Sequence, residues 1–259
     1  MKKLMTFSVA LTCAVAIQAG ILEDCTVPCV ETNAAGRVFR YRWHEPTNIV
    51  AGVKYPLVVF FHGAGERGTD NFNQMRHGIA NILSRSEKKE PCFVLAGQVP
   101  NGQQWVDTPW GNLEHRMSKD PSPAMALALD KVDALRRDPR IDPNRIYACG
   151  LSMGGYGTWD AIMRHPDWFA AAMPVCGGAD ITKAYLVRDL PIWVFHGGAD
   201  TIVPTWRSRS MVSALWVVNG KVRYREYPGV GHNSWSATFN DPVTLDWMFA
   251  QRRGRDTSK

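Results

Sequence analysis

Short and almost wholly apolar runs recur along the chain: Leu57 to Phe61, Cys92 to Ala96, Ile146 to Cys149, Phe169 to Cys176 and Ile192 to Phe195. A run too short for a helix and apolar at every position suits a strand covered on both faces, as in a parallel sheet. Between these runs, apolar residues return at helical spacing. The clearest such segment opens at Ser122, a good N-cap, with Pro123 at the first helical position. Leu127, Leu129, Val132 and Leu135 mark its buried face, and Asp138-Pro139 ends it. Further helices are predicted over Asn73 to Leu83, Gly155 to His165, Trp206 to Val218 and Pro242 to Gln251. Val38 to Trp43 alternates polar and apolar and predicts an antiparallel strand at one edge; Val222 to Tyr227 predicts a less buried strand near the other. The alternation of strand and helix implies an α/β fold, with helices on both faces of a mostly parallel central sheet. The short connection from Cys176 to Ile192 leaves no room for a large lid.

The N-terminus does not share this pattern. Lys2 and Lys3 precede an uncharged run from Leu4 to Ala19, shorter than the roughly 20 residues of a membrane-spanning helix and followed by small residues. This is the pattern of a secretory signal peptide, with cleavage expected after Ala19, although Ala14-Val15-Ala16 offers a second cleavage pattern. Residues 1–19 are then a signal peptide, 20–37 a leader, 38–252 the folded domain and 253–259 a basic tail. The expected location is the periplasm or the medium, with no stable membrane insertion after cleavage.

Charge and cysteine content narrow the classes further. The formal net charge of +6 drops to +4 without Lys2 and Lys3, and much of the excess lies in Gln251 to Arg255. There is no zinc-finger spacing and no long basic stretch interleaved with aromatics, so no nucleic-acid partner is expected. Five of the six cysteines follow the signal peptide, an odd number that leaves at least one thiol unpaired within the monomer. Cys149 and Cys176 lie in apolar runs as small buried hydrophobes; a Cys25–Cys29 link stays open. With no C-x-x-C spacing, no metal and no cofactor is assigned.

The chemistry concentrates at strand ends. Gly150-Leu151-Ser152-Met153-Gly154 fits G-x-S-x-G between an apolar run and a helical segment, where a sharp turn exposes the serine hydroxyl. The bland alternative is a Gly-rich turn whose serine only caps the helix. A serine hydroxyl needs a base, and seven histidines compete. His62 and His196 end apolar runs and fit structural roles. His232, in Pro228-Gly229-Val230-Gly231-His232-Asn233, sits in a Gly-rich loop after the last strand and is the expected base. Asp200, in the turn after Phe195-His196-Gly197-Gly198, is the expected acid, with Asp180 in Gly177-Gly178-Ala179-Asp180 as competitor. Phe61-His62-Gly63-Ala64-Gly65 supplies the second half of an oxyanion hole, assigned to the amides of Ala64 and Met153. Glu66 and Arg67 are expected to brace that loop, with substrate contact by Arg67 as the sharper alternative. The long connection Gly97 to Pro121 carries Trp105 and Trp110; these, with Trp235, are candidate pocket walls.

These motifs also carry a likeness. His62-Gly63-Ala64-Gly65-Glu66-Arg67-Gly68, Gln103-Gln104-Trp105-Val106-Asp107-Thr108-Pro109-Trp110, the segment from Gly150 to Trp159, and Gly231-His232-Asn233-Ser234-Trp235 resemble the small bacterial "predicted peptidase" group of the α/β-hydrolase superfamily. That group stands in the phospholipase/carboxylesterase and dienelactone-hydrolase branch, with feruloyl and acetyl esterase relatives. The likeness spans roughly residues 38 to 250 and departs at Gly97-Gln98-Val99-Pro100. It implies a serine hydrolase acting on a small-molecule or polysaccharide-linked ester. Two alternatives are a serine peptidase of prolyl-oligopeptidase-like type, which restricts access with a propeller that the 20–37 leader is too short to form, and a non-catalytic carbohydrate-binding protein using exposed tryptophans.

Overall fold

A computed structural model describes residues 22–109, 112 and 114–254. The expected signal peptide, Trp110 and most of the basic tail lie outside the described residues. Among the described residues, eight strands form one sheet: β1 (Val27–Thr32), β2 (Val38–His44), β3 (Tyr55–Phe61), β4 (Phe93–Gln98), β5 (Ile141–Leu151), β6 (Ala171–Val175), β7 (Ile192–Gly197) and β8 (Val222–Tyr227). Their order is β1-β2-β4-β3-β5-β6-β7-β8. β2 runs antiparallel to both β1 and β4, and the pairs from β4 through β8 are parallel. Helices flank the sheet: α1 (Ile79–Lys88), α2 (Pro123–Leu135), α3 (Met153–Arg164), α4 (Trp206–Val217), α5 (Ser234–Asn240) and α6 (Pro242–Ala250).

The apolar runs are apolar throughout because both faces of the central strands are covered. On β3, Leu57, Val59 and Phe61 face one core with Leu129 and Val132 of α2, Trp159 of α3 and Leu215 of α4. Val58 and Phe60 face the opposite core with Ile82 of α1, Phe239 of α5 and Leu245 and Met248 of α6. Burying both sides of a strand removes more apolar area than the one-sided packing of an amphipathic strand, at about 25 cal/mol per Å². α2 starts where its sequence signals it: Ser122 Oγ accepts from the Met125 amide at 3.1 Å, and Pro123 occupies the first turn.

Three elements differ from expectation. β1 extends the sheet into the segment assigned to a leader, so the folded unit begins before residue 38. Helix formation near residue 80 starts only after Gly78, whose φ of +80° suits glycine and stops the chain from coiling earlier; Asn73–Met75 forms a separate 3-10 turn. α5, immediately after the His232 loop, has no counterpart among the predicted helices. Of the described cysteines, none is paired: Cys25 and Cys29 face Glu87 and the Val27 carbonyl respectively, so the open Cys25–Cys29 link is absent.

The long connection between β4 and α2 is tied down rather than loose. Arg164, at the end of α3, forms a largely buried pair with Asp160 at 2.7 Å and donates to the carbonyls of Ser118, Lys119 and Asp120. This one guanidinium holds the far part of the connection against the helix that begins at the G-x-S-x-G turn.

Candidate active site

Ser152 occupies the turn between β5 and α3 with φ +53° and ψ −119°. That is a costly conformation for a residue with a Cβ, of order 1–3 kcal/mol, and the surroundings hold it in place. A Cβ on Gly154 would lie 1.9 Å from the Phe61 carbonyl oxygen, and one on Gly150 would lie 2.5 Å from the same atom. Only glycines let β5, β3 and α3 approach this closely, and the closeness forces the turn. The Ser152 amide donates to the Val175 carbonyl at 2.9 Å, fixing the turn to β6 as well.

His232 follows β8 in the loop before α5. Its Nε2 lies 2.9 Å from Ser152 Oγ and its Nδ1 2.7 Å from Asp200 Oδ2. Asp200 follows β7, and its other oxygen, Oδ1, accepts from the Ile202 and Val203 amides, each at 2.9 Å. With one oxygen engaged by two amides, the carboxylate turns its second oxygen to the imidazole. The structure therefore brings together three side chains separated by up to 80 residues. The competing Asp180 goes elsewhere: it caps a 3-10 turn by accepting from Thr182 and accepts from the Met117 amide at 3.0 Å.

The other histidines at strand ends are structural. His62 Nε2 accepts from the Val99 amide at 2.9 Å, so its Nδ1 carries the proton and donates to the Gly63 carbonyl at 2.6 Å. Burial pushes its pKa down to about 4, because the charged ring would lose its water. His196 is fully buried, with Nδ1 2.7 Å from Ser208 Oγ and Nε2 2.9 Å from the Val203 carbonyl; burial lowers its pKa too. A histidine held neutral in the fold but charged when unfolded takes up a proton on unfolding between its two pKa values. The sign follows: the stabilisation is present above about pH 6.5 and is lost as the pH falls toward 4. Urea unfolding across pH 7 to 4 is expected to show falling stability with net proton uptake, and a slope of zero or the opposite sign would contradict the neutral assignment.

Ser152, Met153, Gly63, Ala64, His232 and Trp235 line one cleft of about 240 Å³, together with Ile202 and Val203. The Met153 amide is the first of α3, beyond the reach of any intrahelical carbonyl, and Ala64 opens the 3-10 turn Ala64–Glu66. Both assigned oxyanion donors thus lie in the wall of the cleft that holds the Ser152 hydroxyl. Trp235 stands edge-on to His232, with ring centroids 5.2 Å apart. Two other pocket expectations, Trp105 and Arg67, are corrected. Trp105 is 1% exposed and does not line the cleft; its indole donates to the His62 carbonyl at 3.0 Å and packs edge-on against Phe61. Arg67 turns away and donates to the Ala64 carbonyl at 2.9 Å, bracing the loop.

Sequence reasoning missed two cleft residues. Glu66 lines it with a largely buried carboxyl whose pKa burial raises, and Tyr156, one turn into α3, forms part of its wall. Tyr156 follows the glycines of the turn, and its helical position facing the cleft was the available signal. Ligand atoms of Cys176, Asp200 and His232 lie within 4.8 Å of one another, but Asp200 and His232 already spend theirs on the hydrogen bonds above. No described helix is long and apolar enough to cross a membrane.

The model of the dienelactone hydrolase family matches residues 96–240. This chain belongs to that family. The match includes the Ser152 turn, Asp200 and His232. Among relatives of this dienelactone hydrolase family member, NocK of Nocardia uniformis subsp. tsuyamanensis, described as an esterase, is 27% identical over 188 residues, covering 71% of this chain and 51% of NocK. A solved thermostable esterase superposes with a TM-score of 0.82 at 38% identity, over 90% of this chain and 64% of that one. The chain thus spans about half to two thirds of the length of these relatives. A shorter stretch, 28% of this chain, is 33% identical to 11% of the bifunctional acetylxylan esterase/xylanase XynS20E of Neocallimastix patriciarum.

Proposed function

We propose that this chain hydrolyses carboxylic esters through an acyl-enzyme on Ser152. The observation that carries the reading is the continuous hydrogen-bonded line from Ser152 Oγ through His232 to Asp200, opening on a cleft that Ala64 and Met153 also line. The hydroxyl of Ser152 donates to Nε2, so attack on an ester carbonyl passes its proton to His232. Asp200 holds the imidazole in the tautomer that can take that proton and stabilises the resulting cation. The amides of Ala64 and Met153 receive the oxyanion. His232 then protonates the departing alcohol, and a water molecule activated by the same imidazole releases the acid. No metal or cofactor enters these steps.

Membership in the dienelactone hydrolase family and the esterase relatives support ester over amide substrates. The finer reading is an exported enzyme acting on acetyl or feruloyl esters of polysaccharides. Its supports are the signal-peptide pattern over residues 1–19 and the local likeness to an acetylxylan esterase/xylanase. A fluorophosphonate probe is expected to label Ser152, and esters should turn over far faster than matched amides in a panel including methyl ferulate, acetylated xylan and dipeptide anilides. Labelling elsewhere, or none, removes the reading and leaves a binding protein; faster amide turnover makes it a peptidase. Mass spectrometry of the exported product should find an N-terminus at Gly20, and retention of residues 1–19 would overturn export.

A further inference from the structure

A second cavity of about 120 Å³ lies beside the cleft, lined among others by His115, Arg116, Ile181, Thr182, Trp206 and Arg207. Tyr156 joins the two. It lines the catalytic cleft, and its ring stacks on His115 with centroids 5.5 Å apart and planes 30° from parallel. Exposed Ile202 of the cleft and exposed Trp206 of the second cavity belong to one short segment, so a ligand at Ser152 has to cross that segment to reach the second cavity.

The lining is unusual in what it leaves unsatisfied. His115 is 9% exposed, yet its Nδ1 has no hydrogen-bond partner among the described residues. Burying a polar atom without a partner costs about 1–3 kcal/mol. A natural site for such a cost is one where a ligand supplies the missing bond. Burial pushes the pKa of His115 down to about 4, so near neutral pH its ring has one donor and one acceptor nitrogen, as a hydroxyl group requires. Beside it, Trp206 and Ile181 stay 41% and 48% exposed. The Arg207 guanidinium stacks over Trp206 at 4.3 Å and holds the indole in place.

Charge selects among ligands. Arg116 is engaged by Glu114 at 2.9 Å and approaches Asp180 at 4.0 Å. With acidic groups already opposing this guanidinium, the cavity has no surplus of one sign with which to capture a strongly charged group. An apolar indole face, neutral donor–acceptor groups and planar paired charges together suit a ring with C–H faces and several hydroxyls.

We infer that this cavity is a subsite for a neutral sugar ring on the alcohol side of the ester, with Trp206 as its platform and His115 as a hydroxyl partner. The inference rests on the ester-hydrolase reading for its place in the reaction, but not for the binding itself.

Two measurements test it. Trp206→Ala is expected to lower kcat/KM for an acetylated or feruloylated xylo-oligosaccharide by about 10–100-fold, mainly through KM, while p-nitrophenyl acetate turnover stays within about twofold. Equal losses on both substrates, or none on either, overturn the subsite. Separately, xylotriose added to Ser152→Ala protein should produce saturable chemical-shift changes in the Trp206 indole and the Thr182 amide, and the Thr182 change should vanish in the Trp206→Ala double variant. No saturable change, or saturation by glucuronate with none by xylotriose, also overturns it. If the wild-type protein cleaves no ester but xylotriose still binds at Trp206, the hydrolase reading fails and the sugar site stands.

Discussion

Ser152→Ala should lower turnover of p-nitrophenyl butyrate by about 10⁴–10⁶-fold, with KM changed far less. The remaining cleft, including the amides of Ala64 and Met153, still binds and polarises the ester, so the loss falls on kcat. Backbone geometry supplies a companion expectation. Residue 152 sits at φ +53°, and alanine keeps the Cβ that makes this conformation costly. Glycine removes it. Ser152→Gly should therefore be as inactive as Ser152→Ala yet about 1 kcal/mol more stable to urea than that variant. Near-wild-type turnover by either variant would show that the acyl group is carried elsewhere. Equal stability of the two would show that the turn is not strained at this residue.

How far the sequence revealed this arrangement depended on the kind of signal. The central strands were legible because two-sided burial leaves no polar position to interrupt a run; β5 nonetheless begins at Ile141, ahead of the apolar run, where Asp142, Asn144 and Arg145 hide its start. β1 was invisible for the opposite reason. It lies at the sheet edge with almost every side chain in solvent and includes Pro28, so neither alternation nor strand propensity marks it. α5 is short and rich in Ser, Thr, Phe and Asn, poor helix formers on their own; it is held by packing of Phe239 against Phe60. At the site, Ser152, Asp200 and His232 could be nominated because each sits in a Gly-rich turn after a strand. The walls could not. Trp105 and Trp235 read alike in sequence, but Trp105 is captured by the His62 carbonyl and the core, whereas Trp235 follows the histidine loop and stays beside the cleft. Nothing local to either residue encodes that difference, which comes from which strand each loop crosses.

Asp200→Asn is expected to reduce kcat by about 10⁴-fold, whereas Asp180→Asn, in a turn after an equally buried strand, should leave it within a few-fold. The contrast follows from hydrogen-bond direction. The Ile202 and Val203 amides must be met by an oxygen, so in the variant they fix the side-chain amide oxygen where Oδ1 of Asp200 lies. The NH₂ group of the substituted side chain then faces Nδ1 of His232 and donates to it. That nitrogen must give up its hydrogen and accept, which moves the ring proton to Nε2, the atom facing Ser152. An imidazole protonated there cannot take the hydroxyl proton, so the geometry survives while the base is lost. The NMR signal of the Nδ1 proton should disappear in Asp200→Asn and persist in Asp180→Asn. At residue 180 the carboxylate accepts from Thr182 and the Met117 amide and has no contact with His232; asparagine keeps the Thr182 cap and loses one acceptor, a cost of about 1 kcal/mol in stability rather than a loss of catalysis. Retention of activity within tenfold by Asp200→Asn, or the larger loss in Asp180→Asn, would reassign the acid.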